Sequence, residues 1–238
     1  MTETTPDKRR FSGLGIRVLS GLVLAPLMIA IIVAGGLWFQ GLMLLALAVS
    51  FYEWFGLSKA GPKPLATLML GVVYLGISYS SYVFMRFGME AGAWLALATM
   101  LCVWASDSGA YFAGKFIGGP KMAPKLSPKK TWAGLGGAMV SSGAMLVGLL
   151  YAGPSLQQYL NTDIGLTAGT ACLPVFIVGA LLGVVGQAGD IFISFFKRRA
   201  NLKDTGHLIP GHGGLLDRID ALLLVAPVFC ALCWVFLT

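Results

Sequence analysis

Charge is scarce in this sequence of 238 residues. It has 10 acidic and 17 basic residues, 11% of the chain together, where an ordinary globular domain carries about 25%. So few charges cannot cover the surface of a soluble fold this size, which excludes a cytosolic enzyme. Hydrophobic residues make up 57% and mean hydropathy is +0.80, which excludes a disordered chain. Only four cysteines are present, Cys102, Cys172, Cys230 and Cys233, which excludes a secreted disulfide scaffold. Cys230 and Cys233 form a CxxC, but it lies deep in an apolar run without a third or fourth ligand. Small apolar packing is the better reading of that pair. The chain also lacks low-complexity segments, internal repeats and any composition shift that would mark a domain boundary.

What the sequence has is long apolar runs. A bilayer-spanning helix needs about 20 mainly apolar residues. Seven runs qualify: 18–36, 38–58, 65–85, 92–114, 133–151, 172–194 and 215–237. The expected fold class is therefore all-α, a polytopic membrane protein of about seven transmembrane helices, forming one integral-membrane domain over 1–238. Residues 1–17 form a cytoplasmic segment that leads into a retained signal-anchor helix. Trp38, Phe39, Phe51, Tyr52 and Trp54 fall near helix ends, as interfacial belts do. Ser78, Ser80, Ser81, Ser141 and Ser142 can bond to helix backbones. Glu53 sits near a membrane end, where it can face water.

The net charge of +7 has a topological explanation. Seven crossings with a cytoplasmic N-terminus put 16 of the 17 Lys and Arg residues on one side and leave only Arg86 on the other. That is the asymmetry of the positive-inside rule. Yet ten of those 16 gather in two segments, 115–130 and 197–218, which is more than orientation requires. Such clusters suit an anionic ligand.

Ionisable groups inside membrane segments are costly and usually functional. Asp107 and Asp190 both follow apolar stretches within helical runs. Gln187, Asp190, Ser194 and Lys197 are spaced 3, 4 and 3, so they share one helical face. A polar stripe that only joins helices would not explain why it ends in Lys197-Arg198-Arg199. Residues 203–214 then link two membrane helices and hold four glycines within nine residues, a composition that allows close backbone approach to a ligand. Asp217-Arg218-Ile219-Asp220 follows, with the two aspartates at i, i+3 on one face. Asp190, Asp217 and Asp220 thus offer oxygen ligands suited to Mg²⁺, although ion pairs with the nearby Lys and Arg residues are an alternative. Before the fifth helix, Ser127 fits an N-cap and Pro128 the first helical position. Lys129 and Lys130 at such a helix start make a natural phosphate site. Together these residues ask for phosphate-bearing ligands and a divalent cation at one membrane face.

The run from Ser194 to Asp220 resembles the signature of the CTP:phosphatidate cytidylyltransferase (CDP-diacylglycerol synthase) family. It supplies Ser194, Lys197, Arg198, Lys203, Asp204, Gly206, Pro210, His212, Gly213, Gly214, Asp217, Arg218 and Asp220. Asp107 to Tyr111 and Ser127 to Gly134 also look like that family. The resemblance implies an integral enzyme of a bacterial cytoplasmic membrane, with its active site facing the cytoplasm, built on segments 107–134 and 187–220. It implies that CTP and phosphatidate give CDP-diacylglycerol and pyrophosphate, with CTP and bilayer phosphatidate as partners and no nucleic acid. A homodimer is compatible with it. The metal ligands implied are Asp190, after Gly189, and Asp217, with Asp107 and Asp220 as further candidates for Mg²⁺ or a second cation. Catalytic roles fall to Lys197, Arg198, Lys203, Asp204, His212 and Arg218. Substrate-phosphate binding falls to Ser127, Lys129, Lys130 and Ser194. Three other readings compete: an ion transporter, a lipid or polyprenol kinase, and a non-catalytic binder of anionic lipid.

Overall fold

A computed structural model describes residues 8–160, 172–206 and 213–237. Seven helices run in chain order: α1 (Lys8–Ala34), α2 (Gly36–Ala60), α3 (Pro64–Gly88), α4 (Gly92–Phe116), α5 (Trp132–Leu160), α6 (Cys172–Arg199) and α7 (Leu216–Leu237). Six of them, α2 to α7, are long and apolar enough to cross a membrane, while the apolar part described in α1, Gly21–Ala34, is shorter. The outer surface is itself apolar: Leu37, Leu44, Leu45, Leu65, Val73 and Ile177 are all more than half exposed. A surface like this needs lipid around it.

Helix ends follow local chemistry. Gly35 separates α1 from α2 with φ of 62°, a conformation glycine adopts freely. Arg86, at the end of α3, donates to the carbonyls of Ile32 (2.9 Å) and Val33 (3.3 Å), which the end of α1 would otherwise leave unpaired. Arg86 thus serves as a cap for α1. Pro64 opens α3 at its first position, where its missing N–H costs nothing.

α4 is the central helix, with Trp94, Leu95, Ala96, Leu97, Ala98, Thr99 and Met100 all buried. It packs on α5, α5 on α6, and α6 on α7, while α3 closes against α4 and α7. Small residues let these backbones approach. A Cβ on Gly109 of α4 would lie 2.5 Å from the Gly137 carbonyl of α5, and one on Gly189 of α6 would lie 2.6 Å from the Asp220 carbonyl of α7. Ser141 of α5 donates to the Ala105 carbonyl of α4 (2.8 Å) and the Gly137 carbonyl of its own helix (2.7 Å). Ser78 bonds likewise to Tyr74 within α3 and to the Leu223 carbonyl of α7. Cys230 and Cys233 are buried, unbridged packing residues.

Three expectations are corrected. Ser127 and Pro128 do not open α5. Ser127–Thr131 forms strand β2, antiparallel to β1 (Lys121–Ala123), with Lys121 opposite Thr131 and Ala123 opposite Ser127. The helix starts at Trp132, and Thr131 supplies the cap: its Oγ1 accepts the Gly134 N–H at 3.0 Å. Of the aromatic residues read as an interfacial belt, Trp38 (77% exposed) and Tyr52 (72%) fit, but Phe39 and Trp54 are fully buried. Trp54 satisfies its indole N–H on the Thr67 carbonyl of α3 at 2.8 Å, so it can sit in a core. Glu53 does not face water: it is buried.

Candidate active site

The C-terminal halves of α4 and α6, the N-terminus of α7 and the β1–β2 hairpin meet at one end of the bundle. They surround a cavity of about 340 Å³ lined by Asp107, Asp190, Lys197, Asp204, Asp217, Arg218 and Asp220. Asp107 and Asp220, 113 positions apart in sequence, are thereby brought to one site, and Gly189 lets α6 approach the Asp220 carbonyl of α7 closely. At the opposite end, α4 to α7 enclose a second cavity of about 280 Å³, lined by apolar residues such as Trp94, Leu146, Val178 and Phe229. Among the described residues, no charged lining runs from one to the other.

Each of two aspartates is held by a lysine. Lys130 Nζ lies 2.8 Å from Asp190 Oδ2. It also donates to the Gln187 side chain (2.9 Å) and carbonyl (3.1 Å). An ammonium has three donors, so Lys130 is fully engaged on α6 as it stands. Ser194 donates to Asp190 Oδ1 at 3.2 Å. The face Gln187–Asp190–Ser194–Lys197 is therefore real and is read from the hairpin by Lys130. Lys197 Nζ lies 2.7 Å from Asp217 Oδ1, and both side chains are close to fully buried. The other oxygen of Asp217 accepts the N–H groups of Thr205 (2.8 Å) and Gly214 (3.2 Å) and the Thr205 hydroxyl (3.2 Å). Asp220 Oδ1 accepts its neighbour's N–H, from Ala221 at 2.9 Å. Among the described residues Asp107 carries no hydrogen bond or ion pair.

The remaining expected residues lie farther out. Arg198 is exposed and donates to the Leu126 carbonyl (3.3 Å) of the hairpin turn and the Leu202 carbonyl (3.4 Å). Lys203 and Lys129 are exposed and Ser127 is half-buried, and none of the three lines the cavity. Lys129 and Lys130 diverge because adjacent strand residues point to opposite faces. His212 lies outside the described residues.

Glu53, on α2, was missed by sequence reasoning. Its carboxylate accepts the backbone N–H groups of Leu215 (2.8 Å) and Leu216 (2.9 Å) and the Thr205 hydroxyl (2.9 Å). The signal was an acidic residue within an apolar run, but Phe51, Tyr52 and Trp54 around it read as an interfacial belt and placed it near a membrane end.

The donor chemistry can be tested against a cation. The cavity presents five carboxylates against two basic groups, with Lys130 as a third at Asp190. It therefore carries excess negative charge, offers only oxygen donors, and opposes entry of any polyanion by itself. Among the described residues no three acidic, histidine or cysteine side chains converge as a ready cage. That combination fits Mg²⁺, which is usually held by one or two carboxylates with substrate phosphates and water completing the shell. It does not fit a closed structural metal site.

Fold and site together define a polytopic membrane protein with a one-ended acidic and basic cavity, suited to phosphate-bearing ligands. The chain belongs to the cytidylyltransferase family, whose model matches residues 63–236. It is 36% identical to a phosphatidate cytidylyltransferase of Rickettsia felis over 219 residues, covering 90% of this chain and 89% of that protein. It is also 36% identical to the Rickettsia conorii phosphatidate cytidylyltransferase over 220 residues, covering 92% and 90%. The Brucella suis phosphatidate cytidylyltransferase is 39% identical over 158 residues, 66% of this chain and 53% of that protein. The matched region contains every residue that lines the polar cavity.

Proposed function

We infer that this protein transfers a cytidylyl group from CTP to phosphatidate, giving CDP-diacylglycerol and pyrophosphate. The observation that carries the reading is the polar cavity: carboxylates and cations from α4, α6 and α7 at one end of an apolar bundle, within the segment that matches the family. A lipid can reach such a cavity between helices and a nucleotide from the aqueous side.

The chemistry explains the residue types. An anionic oxygen of the phosphatidate phosphate attacks the α-phosphorus of CTP. A new P–O bond forms, the bond to the β-phosphate bridging oxygen breaks, and pyrophosphate leaves with that electron pair. The nucleophile is already ionised, so no Ser, Cys or His nucleophile is needed. What the protein must do is hold two polyanions in line and neutralise the leaving group. Lys197 and Arg218 line the cavity and take that role on the phosphates. Arg198, Lys203 and Lys129 stand at its edge, where they collect the soluble nucleotide, and Ser127, Asp204, Ser194 and His212 complete the expected set. Lys130, expected from the sequence to bind substrate phosphate, holds Asp190 through one bond and spends its other two donors on Gln187, so it orients Asp190 and reaches a phosphate only by releasing one of these partners.

Asp190 and Asp217 would hold Mg²⁺, with Asp107 and Asp220 as further carboxylates for it or for a second cation. When bound, the ion would supply charge neutralisation to the phosphates. The active site faces the cytoplasm of a bacterial inner membrane, a reading supported by the 16-to-1 division of basic residues.

The test is direct. Purified protein is incubated with CTP labelled at the α-phosphate, phosphatidate and Mg²⁺. Label in the lipid phase together with pyrophosphate is expected. CDP release with unlabelled lipid would mean phosphoryl transfer by a lipid kinase. Phosphatidate binding without CTP consumption would mean a binding protein, and either result defeats the proposal.

A further inference from the structure

We propose that Glu53 is a positioning residue for the transfer reaction: a carboxylate from α2 that fixes the N-terminus of α7 and, with it, Asp217 and Arg218. The proposal rests on the cytidylyl-transfer reading of the cavity.

Glu53 is 3% exposed, and among the described residues it has no basic partner. A carboxylate is almost never buried without compensation. Here the compensation is the start of α7. Oε1 accepts the Leu215 N–H at 2.8 Å, and Oε2 accepts the Leu216 N–H at 2.9 Å. These are N–H groups that a helix start leaves without intrahelical partners, at the positive end of its dipole. Most helices take such a cap from the residue just before them. This one takes it from 162 residues away, so the helix start is fixed relative to α2 rather than to its own loop.

The same carboxylate is wired to the cavity. The Thr205 hydroxyl lies 2.9 Å from Glu53 Oε2 and 3.2 Å from Asp217 Oδ2. One hydroxyl proton is shared between two carboxylates. Thr205 and Gly214 also donate their N–H groups to Asp217. Glu53 therefore grips the two backbone segments whose donors orient Asp217. Two glycines make room for it. A Cβ on Gly206 would lie 2.8 Å from Oε1, and one on Gly214 would lie 2.6 Å from Oε2. Both positions belong to the glycine-rich run read from the sequence as a place for ligand approach. At these two the close approach is to Glu53.

A displacement of about 1 Å in a reacting group costs roughly 10²-fold in rate. The closing experiment compares wild type with Glu53→Gln, which keeps size and shape but replaces one acceptor oxygen with a donor. Pyrophosphate release is followed at varied CTP, phosphatidate and Mg²⁺, beside a detergent melt and amide exchange over 213–218. The expected result is a folded variant with a melt lowered by only about 2–4 °C, the scale of one lost cap, and kcat lowered by about tenfold to 10²-fold. KM for phosphatidate stays within about twofold, half-activation needs several-fold more Mg²⁺, and exchange at 213–218 is faster. A folded variant with wild-type kcat overturns the proposal, and so does one that loses turnover with unchanged exchange over 213–218. If Glu53→Gln does not fold, Thr205→Val, which cuts only the shared hydroxyl, takes its place. A stable Thr205→Val protein with a fall of several-fold in kcat supports the proposal, and one with wild-type kcat overturns it. A wild type that releases no pyrophosphate counts against cytidylyl transfer. The exchange comparison then decides the positioning claim alone.

Discussion

At the scale of the residue, the site rests on carboxylates that differ in how they are held. Asp217 is clamped by a buried lysine and three donors, whereas Asp107 carries no hydrogen bond or ion pair among the described residues. Asp190→Asn and Asp217→Asn should therefore each lower turnover by roughly 10²- to 10³-fold, the scale of losing one preorganised electrostatic group, while the protein still inserts and purifies. Turnover near wild type in either variant would remove that residue from the proposed Mg²⁺ site. Lys197→Ala should behave differently. It leaves Asp217 buried and unpaired, which costs about 3–5 kcal/mol. A large fall in the detergent melting temperature should accompany its loss of activity, and an unchanged melt would show that Asp217 had found another partner. The sequence made these residues legible because ionisable groups within apolar runs are few and their spacing was helical. It could not reveal that Lys130 spends its donors on Gln187 and Asp190, since that pairing joins residues 57 positions apart. Glu53 escaped for the same reason: its partners lie 152 to 163 residues away.

At the scale of the element, helix number and order were readable from apolar length alone, and the starts of α4, α5, α6 and α7 fall within a residue of the expected spans. The hairpin was not readable. Ser127-Pro128 carries a valid helix-start pattern, yet pairing with Lys121–Ala123 is a non-local fact that local propensity cannot contain. The physical start of α5 is Thr131, whose hydroxyl oxygen caps Gly134. Thr131→Val preserves shape and removes that acceptor, so it should destabilise the protein by about 1 kcal/mol. Ser127→Ala should change stability by less than half of that if the cap lies where the structure puts it. Paired detergent melts check both, and equal losses would return the cap to Ser127. The crossing of α4 with α5 is equally specific. Gly109→Val would drive a branched side chain into the Gly137 carbonyl. It should separate the two helices and lower both the melting temperature and turnover, because Asp107 is two residues from the crossing.

At the scale of the whole molecule, one end of the bundle carries the polar cavity and the other an apolar one, and the distribution of charge predicts which end faces the cytoplasm. The hairpin end holds Lys121, Lys125, Lys129 and Lys130 with the basic end of α6, while the other end holds Arg86, in the last turn of α3 and occupied in capping α1. A positive-inside orientation puts the hairpin in the cytoplasm. This also places the charged cavity where a soluble nucleotide can reach it. The chain allows a clean measurement, because Cys102, Cys230 and Cys233 are buried and only Cys172 is partly exposed. In a Cys172→Ser background, Lys125→Cys should react with a membrane-impermeant maleimide in inverted vesicles and stay unlabelled in right-side-out ones. Glu90→Cys, an exposed position in the α3–α4 turn, should show the reverse. Both positions are ends of the same connected unit, with α4 between them, so the two patterns must be opposite in a protein that spans the bilayer. Opposite patterns with the sides exchanged would reverse the orientation and put the carboxylate cavity out of reach of cytoplasmic CTP. Labelling of both positions from one side would mean that α4 does not cross, and the arrangement that brings Asp107 to Asp190 and Asp217 would then fail as well.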